Sequence, residues 1–143
     1  MALGMALAFK IQNKPNRVFV LIGDGESEEG TIWESTMLAI NLGLNNLIVI
    51  LDKNKSQYYA HDHKYFDIWK SFGWDTLEIK DGHNLDEIKK IMDEVTNLKS
   101  NKPKMIIANT IKGKGISFIE GDREWHHKTP TEEEYHKCME ELK

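Results

Sequence analysis

The sequence predicts an α/β domain in which helices flank a parallel sheet of about four strands. The first observation is alternation: short apolar runs bounded by turn residues alternate with segments whose apolar residues recur at helical spacing. The second is size: residues 18–51 hold a strand, a helix and a strand, which suits a right-handed βαβ crossover. A chain of 143 residues suits one domain, which we place at residues 1–143.

The elements follow from apolar spacing and from the residues that cap or break them. Residues 1–12 are apolar and helix-forming. The clearest helical stripe lies at 85–98, where Asn84 supplies an N-cap. Thr131 and Glu134 are spaced as a capping box for the last helix. In chain order we predict a helix at 1–12, a strand at 18–22, a helix at 28–41, a strand at 47–51, a helix at 65–72, a strand at 75–79, a helix at 85–98, a strand at 105–110 and a helix at 131–142.

Composition narrows the class of function. The formal net charge is −4, so nothing favours nucleic acid or a membrane surface as a partner. No apolar run approaches the length of a membrane span. Cys138 is the only cysteine, which excludes an internal disulfide and favours a reducing, cytoplasmic location.

Two polar residues stand where consecutive predicted strands end. Asp24, flanked by Gly23 and Gly25, follows the first strand, and Asn54 follows the second. Neighbouring parallel strands end at the same edge of a sheet, which is where open α/β sheets bind ligands. An Asp-Gly pair commonly forms a plain turn or a helix cap. Asn54 at the matched position instead favours a joint oxygen site for Mg²⁺ that carries a phosphorylated ligand.

Four separated motifs stand in order along the chain: Gly23-Asp24-Gly25 continued to Glu29-Gly30, then Asn54, Lys112-Gly113-Lys114-Gly115, and Trp125-His126. Together they resemble the transketolase family, and more narrowly the amino-terminal subunit of split bacterial transketolases. The resemblance covers nearly all of the chain. It implies a thiamine diphosphate-binding fold, the diphosphate domain, with thiamine diphosphate and Mg²⁺ as cofactors.

The resemblance implies a set of cofactor ligands. Asp24, the amide oxygen of Asn54 and the main-chain carbonyl of Ser56 would bind Mg²⁺, while diphosphate oxygens and a water complete the coordination. Gly23 and Gly25 would lie against the diphosphate, to which Gly25 offers its main-chain N–H. Each of these assignments follows from the matching position in the family.

Three further positions carry roles by the same resemblance. His126 would lie near the reactive carbon of the cofactor, where it can orient substrate or assist proton transfer. His127 replaces the family's usual glycine, so the match is ambiguous by one place, and a pair of solvated loop histidines is the alternative. Glu29, expected in the first turn of the helix at 28–41, would lie at the subunit interface near the partner's active site. Tyr58 stands where the family places an apolar residue against the thiazolium; a surface aromatic is the alternative.

The implied reaction is transfer of a two-carbon ketol unit between sugar phosphates. In the family a glutamate from a different domain activates the aminopyrimidine of the cofactor, and nothing in this sequence matches that domain. The resemblance therefore implies a partner, the pyrimidine-binding (carboxy-terminal) subunit, in a dimer or heterotetramer. The family's Leu-Gly-x-Gly segment before the first helix is also absent, so we expect the domain to be incomplete at its amino terminus.

Other functions stay open at this point. The α-subunit of a 2-oxoacid dehydrogenase carries the same metal motif, although Trp125-His126 and the 112–115 loop favour transketolase. The chain could also be a non-catalytic remnant that binds only a partner subunit. A nucleotide-binding domain is disfavoured because no Gly-x-Gly-x-x-Gly follows the first strand.

Overall fold

The computed structural model describes residues 1–55 and 64–143. In these ranges the chain forms one parallel sheet of four strands in the order β1-β2-β4-β3. The strands are β1 Val18–Gly23, β2 Leu47–Lys53, β3 Asp75–Ile79 and β4 Lys104–Asn109, and the helices are α1 Ala2–Ile11, α2 Gly30–Asn41, α3 Tyr65–Ser71, α4 Leu85–Asn97 and α5 Glu132–Glu141. Two short 3₁₀ turns, Glu26–Glu28 and Arg123–His126, complete the regular structure of the described ranges.

Apolar sequence explains which strands lie in the centre. β2 and β4 are nearly continuous apolar runs and are mostly buried, as expected for parallel strands covered on both faces. The register pairs Gly23 of β1 with Asp52 of β2, and Asp52 with Ala108 of β4. The carboxyl ends of these three strands therefore meet at one edge of the sheet.

Helices cover both faces of the sheet, so the predicted α/β class with a parallel sheet flanked by helices is confirmed. One face packs against α1, α2 and α3 through Ala6, Ala39 and Trp69. The other face packs against α4, where Val95 is buried over Ile48 and Ile106. No helix in the described ranges combines the length and the apolar composition that crossing a membrane requires.

All nine predicted elements exist; two boundaries differ from the prediction by two residues and the others by at most one. α2 begins at Gly30, because the 3₁₀ turn Glu26–Glu28 intervenes and Glu29 is extended, with ψ of 132°. Glu29 is therefore the N-cap residue of α2 and not a residue of its first turn. β2 runs on to Lys53, since its backbone continues to pair with β4 as far as Asn109. Asp52 accordingly belongs to a strand and not to the loop that the sequence predicts after residue 51.

Candidate functional site

Asp24 lies in the turn after β1 and is only 5% exposed. Its Oδ1 accepts the main-chain N–H of Gly25 at 2.9 Å, and its Oδ2 accepts the main-chain N–H of Lys55 at 2.8 Å. The second bond joins residues 31 positions apart in the sequence. It ties the turn after β1 to the turn after β2, so the structure brings Asp24 to the segment that contains Asn54.

The main chain of Asp24 is held as firmly as its side chain. Its carbonyl accepts a hydrogen bond from Ser27 Oγ at 2.6 Å and another from Tyr65 Oη at 3.4 Å. Its N–H donates to the carbonyl of Asp52 at 3.2 Å. Ser27 is fully buried, so the glycine-flanked turn is fixed from beneath by a side chain that solvent does not reach.

Asn54 is oriented by a carboxylate at the end of β2. Its Nδ2 donates to Asp52 Oδ2 at 2.8 Å, and Asp52 Oδ1 accepts a hydrogen bond from Thr110 Oγ1. Because the two polar atoms of an amide point in different directions, this bond directs the Asn54 amide oxygen away from Asp52. Asp52 is thus a positioning residue for the predicted metal ligand.

Sequence reasoning did not single out Asp52. Its place two residues before Asn54, at the end of an apolar run, is a local signal that a short carboxylate could bond the amide. The contact with Thr110 spans 58 positions and depends on β2 lying beside β4. No local pattern reports that neighbourhood.

The donor set fits Mg²⁺ and a diphosphate. A carboxylate and an amide oxygen are hard ligands, which Mg²⁺ prefers, and Mg²⁺ usually takes further oxygens from phosphates and water. In the described ranges no three His, Cys, Asp or Glu side chains form a metal-binding group, so a cation here would depend on amide, carbonyl and ligand oxygens. A Cβ built on Gly23 would meet no atom within 4 Å, which leaves open space beside the turn. The N–H of Gly25, predicted to face the diphosphate, here donates to Asp24.

His126 ends the 3₁₀ turn Arg123–His126 and is exposed. Its ring lies against His127, with centroids 4.4 Å apart. Trp125 anchors the turn, since its ring packs edge-on against Phe118 at 5.7 Å and lies 4.1 Å from Lys128 Nζ. Within the described ranges no hydrogen bond joins His126 to Asp24.

The loop that leads to His126 is compact and requires glycine at position 113. Gly113 has φ of +72°, and a Cβ at this position would lie 2.5 Å from Ile119 Cγ2. The N–H of Gly121 donates to the carbonyl of Lys112 at 2.8 Å and closes the loop. The 112–115 segment, one of the four motifs of the resemblance, therefore shapes this loop through a position that only glycine tolerates.

An open cleft at the carboxyl edge links this loop to the metal-ligand candidate. The cleft has a volume of about 610 Å³ and is lined by Asn54, Thr110, Gly121 and Arg123, among others. Glu29 is exposed at the start of α2. The predicted contacts of Ser56 with the metal and of Tyr58 with the thiazolium lie outside the described residues.

Comparison with known proteins agrees with the resemblance. A family model described as the transketolase thiamine diphosphate binding domain matches residues 8–142. The 6-deoxy-6-sulfo-D-fructose transketolase subunit SqwG of Clostridium sp. (strain MSTE9) is 42% identical over 147 residues, which cover 99% of this chain and 53% of the relative. An apulose-4-phosphate transketolase subunit of Actinobacillus succinogenes is 41% identical over 149 residues, covering 99% of this chain and 52% of the relative.

The fold of the chain also matches that of a solved transketolase structure. The crystal structure of transketolase from Campylobacter jejuni superimposes with a TM-score of 0.87 at 31% identity, covering 99% of this chain and 24% of that one. The chain spans about half the length of the two bacterial subunits. These relatives are named as transketolases, and none of them is a 2-oxoacid dehydrogenase. The chain therefore belongs to the transketolase family, in which it matches the thiamine diphosphate binding domain.

Proposed function

We propose that this chain binds the diphosphate of thiamine diphosphate through Mg²⁺ at the turns after β1 and β2. Together with a second polypeptide it transfers a two-carbon ketol unit between sugar phosphates. The observation that carries the proposal is the hydrogen bond from the Lys55 N–H to Asp24 Oδ2, because it unites both halves of the motif at one point. The names of the two bacterial subunit relatives support the reaction class.

We assign each site residue a role at the cofactor. Asp24, the Asn54 amide oxygen and the Ser56 carbonyl hold Mg²⁺, and Asp52 keeps the Asn54 amide turned toward it. Gly23 leaves room for the diphosphate. When bound, thiamine diphosphate supplies the nucleophilic carbon and the electron sink for carbon–carbon cleavage. The chain's own contribution is to bind and orient that group.

The remaining assigned residues act around the substrate and the partner. His126 is exposed on an anchored turn, so its imidazole is available to hold or move a proton on the sugar. Tyr58 covers the thiazolium. Glu29 is exposed at the start of α2, where it can contact a second subunit.

The partner supplies the pyrimidine-binding domain with its activating glutamate, in a dimer or a heterotetramer. Two relatives are themselves named as subunits, which supports a division of the enzyme between polypeptides. We place the complex in the cytoplasm, because the single cysteine, Cys138, is free and buried.

Calorimetric titration of thiamine diphosphate with Mg²⁺ tests the proposal, first with this chain alone and then with a candidate pyrimidine-binding subunit. Asp24→Ala and Asn54→Ala are the test variants, and Asp93→Ala, on the exposed side of α4, is the matched control. We expect binding that needs Mg²⁺, persists in the control and disappears in both test variants. Absence of binding by the folded chain with its partner would refute the cofactor site.

The reaction is tested separately with the assembled complex. We expect ketol transfer between sugar phosphates and no decarboxylation of 2-oxoacids. Decarboxylation of 2-oxoacids without ketol transfer would refute the proposed reaction. Cofactor binding without either reaction would leave the metal site standing and refute the proposed activity.

A further inference from the structure

The turn after β3 is joined by hydrogen bonds to the segment that follows β4. Ile111 donates its main-chain N–H to His83 Nε2 at 2.8 Å. Gly82 donates its N–H to the Asn109 carbonyl at 2.7 Å, and a Cβ on Gly82 would lie 2.5 Å from Thr110 Cγ2. The two backbones therefore approach as closely as glycine allows, and His83 supplies a side-chain acceptor at their contact.

His83 is exposed, but its own turn holds it in place. Its N–H donates to Asp81 Oδ1 at 3.0 Å, and the N–H of Asn84 donates to the Asp81 carbonyl at 3.1 Å. Asn84 is the N-cap residue of α4, the helix that covers one face of the sheet. The imidazole is thus presented to Ile111 from a turn that is anchored to the sheet.

On the other side of this contact, Thr110 is tied to the end of β2. Its N–H donates to the Lys53 carbonyl at 3.2 Å, and its Oγ1 donates to Asp52 Oδ1. Asp52 Oδ2 accepts the Asn54 Nδ2 at 2.8 Å. The peptide held by His83 is the one directly after Thr110. A path of hydrogen bonds therefore runs from His83 through Thr110 and Asp52 to the predicted metal ligand.

The bond between His83 and Ile111 requires a neutral imidazole. A ring nitrogen accepts an N–H only while it carries no proton, and both nitrogens of an imidazolium are donors. Histidine is the side chain that ordinarily changes charge between about pH 5 and 8. Protonation at Nε2 would set two N–H groups against each other and release Ile111 from this tether.

We propose that His83 is a positioning residue for the metal site and that its protonation loosens the Asn54 side chain. Neutral His83 holds the peptide after Thr110. Thr110 in turn holds Asp52, which directs the Asn54 amide. The inference rests on the proposed function, in which Asn54 binds Mg²⁺, and it assigns His83 an action through these residues and not on the cofactor.

Charged groups of both signs surround His83, so a pH profile of the wild type does not by itself identify the group that titrates. In the described ranges they come from the end of β2, the turn after β3, α4 and the loop after β4: Lys53, Lys55, Lys80, Asp81, Glu87, Lys114, Glu120 and Arg123. His83→Gln keeps all of these neighbours. Its amide oxygen can accept the Ile111 N–H, and it does not titrate.

The test follows hydrogen exchange of the Ile111 amide and the side-chain amide signals of Asn54 by NMR, in the full chain without cofactor. His83→Leu removes the acceptor, with His83→Ala as a second variant if His83→Leu does not fold. His136→Leu, at another exposed histidine on α5, is the matched control. Circular dichroism confirms folding. Calorimetry then measures the affinity for thiamine diphosphate with Mg²⁺ in the same variants, with the partner subunit present.

At about pH 7.5 we expect Ile111 to exchange about tenfold faster in His83→Leu and the Asn54 signals to shift, because one hydrogen bond is lost. Cofactor affinity should fall about threefold to tenfold. His83→Gln should restore all three quantities, which a loss of packing alone would not explain. Toward about pH 5, after correction for intrinsic exchange, wild type should approach His83→Leu while His83→Gln stays constant.

Unchanged exchange at Ile111, or unmoved Asn54 signals, in folded His83→Leu would overturn the proposal. So would failure of His83→Gln to restore them, or a wild-type pH profile equal to that of His83→Gln. These signals are read without cofactor, so they decide the role of His83 whether or not thiamine diphosphate binds. Normal cofactor affinity in His83→Leu would refute the positioning role, whereas absence of binding by wild type with its partner would refute the proposed function.

Discussion

Cavities rich in lysine and arginine lie at both ends of the strands, at the amino edge and at the carboxyl edge of the sheet. The chain engages the side chains of these cations differently at the two edges. The amino edge has a cavity of about 400 Å³, lined by residues that include Lys10, Lys14, Arg17, Lys99 and Lys104. Three of these cations donate to main-chain carbonyls there. Lys10 Nζ reaches the Leu42 and Gly43 carbonyls at 2.8 and 2.6 Å, Arg17 reaches Thr96 at 2.8 Å, and Lys104 reaches Asn45 at 2.9 Å.

The direction of the helices explains why lysine and arginine side chains donate to main-chain carbonyls at the amino edge. In a parallel α/β sheet the helices run opposite to the strands, so their carboxyl ends gather at the amino edge. Leu42 is the C-cap of α2, and Thr96 lies in the last turn of α4. The last carbonyls of a helix lack partners within the helix and carry partial negative charge, so lysine and arginine stabilise them.

The carboxyl edge shows the reverse arrangement. There the carboxylates of Asp24 and Asp52 accept hydrogen bonds from the protein, while Lys80 and Arg123 form no ion pair with a described residue. The number of charges around a cavity therefore does not identify a ligand site. What distinguishes the two edges is whether the chain itself uses those charges.

The largest expected effect concerns Asp24→Asn at the carboxyl edge. We expect the affinity for thiamine diphosphate with Mg²⁺ to fall at least about 100-fold, because a neutral amide replaces the charged ligand. Stability should also fall by about 1–3 kcal/mol, since asparagine has one acceptor oxygen for the two N–H donors that Asp24 now accepts. Calorimetry and urea unfolding measure the two effects. Asp93→Asn is the control, and cofactor binding unchanged in folded Asp24→Asn would place the metal elsewhere.

Asp52→Asn tests positioning at the same edge. The new amide has one acceptor oxygen for the two donors, Asn54 Nδ2 and Thr110 Oγ1, that the carboxylate now accepts, so the Asn54 amide is held at most by a weaker, uncharged hydrogen bond. We expect about tenfold weaker cofactor binding. The double variant Asp52→Asn/Asn54→Asp restores a donor–acceptor pair and should recover affinity. If the single variant binds normally, or if the double variant does not recover, Asp52 does not act through Asn54.

The fold was predictable from the sequence because its signals are local. The strand at 75–79 matches β3, Asn84 accepts the N–H groups of Asp86 and Glu87 as an N-cap, and the Thr131–Glu134 capping box forms. Each depends on residues within a few positions of one another. The Asp24 and Asn54 motif was also visible, since both residues follow apolar runs that end at the same edge.

The supporting structure of the site was not predictable in this way. Glu29 adopts the N-cap position because buried Ser27 bonds the Asp24 carbonyl within an intervening 3₁₀ turn, and burial is a property of the whole fold. The Asp52–Thr110 bond and the open cleft at the carboxyl edge require β4 to lie between β2 and β3. Apolar periodicity reports which segments are strands, but it does not report their order.

At the amino edge we expect a loss of stability without a change in binding. Lys10→Met keeps the apolar stem but removes the donor to the Leu42 and Gly43 carbonyls. We expect the free energy of unfolding to fall by about 0.5–1 kcal/mol, and affinity for thiamine diphosphate to stay constant. Urea unfolding measures the change. Lys14→Met is the matched control, because Lys14 lines the same cavity without a side-chain bond to a described carbonyl. Weaker cofactor binding in Lys10→Met would contradict the assignment of stability to the amino edge and of ligand binding to the carboxyl edge.

The smallest effect is a pH dependence at Lys104. Its side chain is buried, and burial, partly opposed by the charge of Asp75, lowers the pKa of its ammonium below the ordinary 10.5. Between the lowered pKa and 10.5 the unfolded chain binds more protons than the folded chain, so this group raises stability as pH rises through that window. Urea unfolding from pH 7 upward should therefore show wild type gaining on Lys104→Met. If the stability of wild type relative to Lys104→Met instead fell as pH rose, the folded chain would hold this proton more tightly than the unfolded chain. The Asn45 carbonyl and Asp75 would then outweigh the effect of burial on the pKa of Lys104.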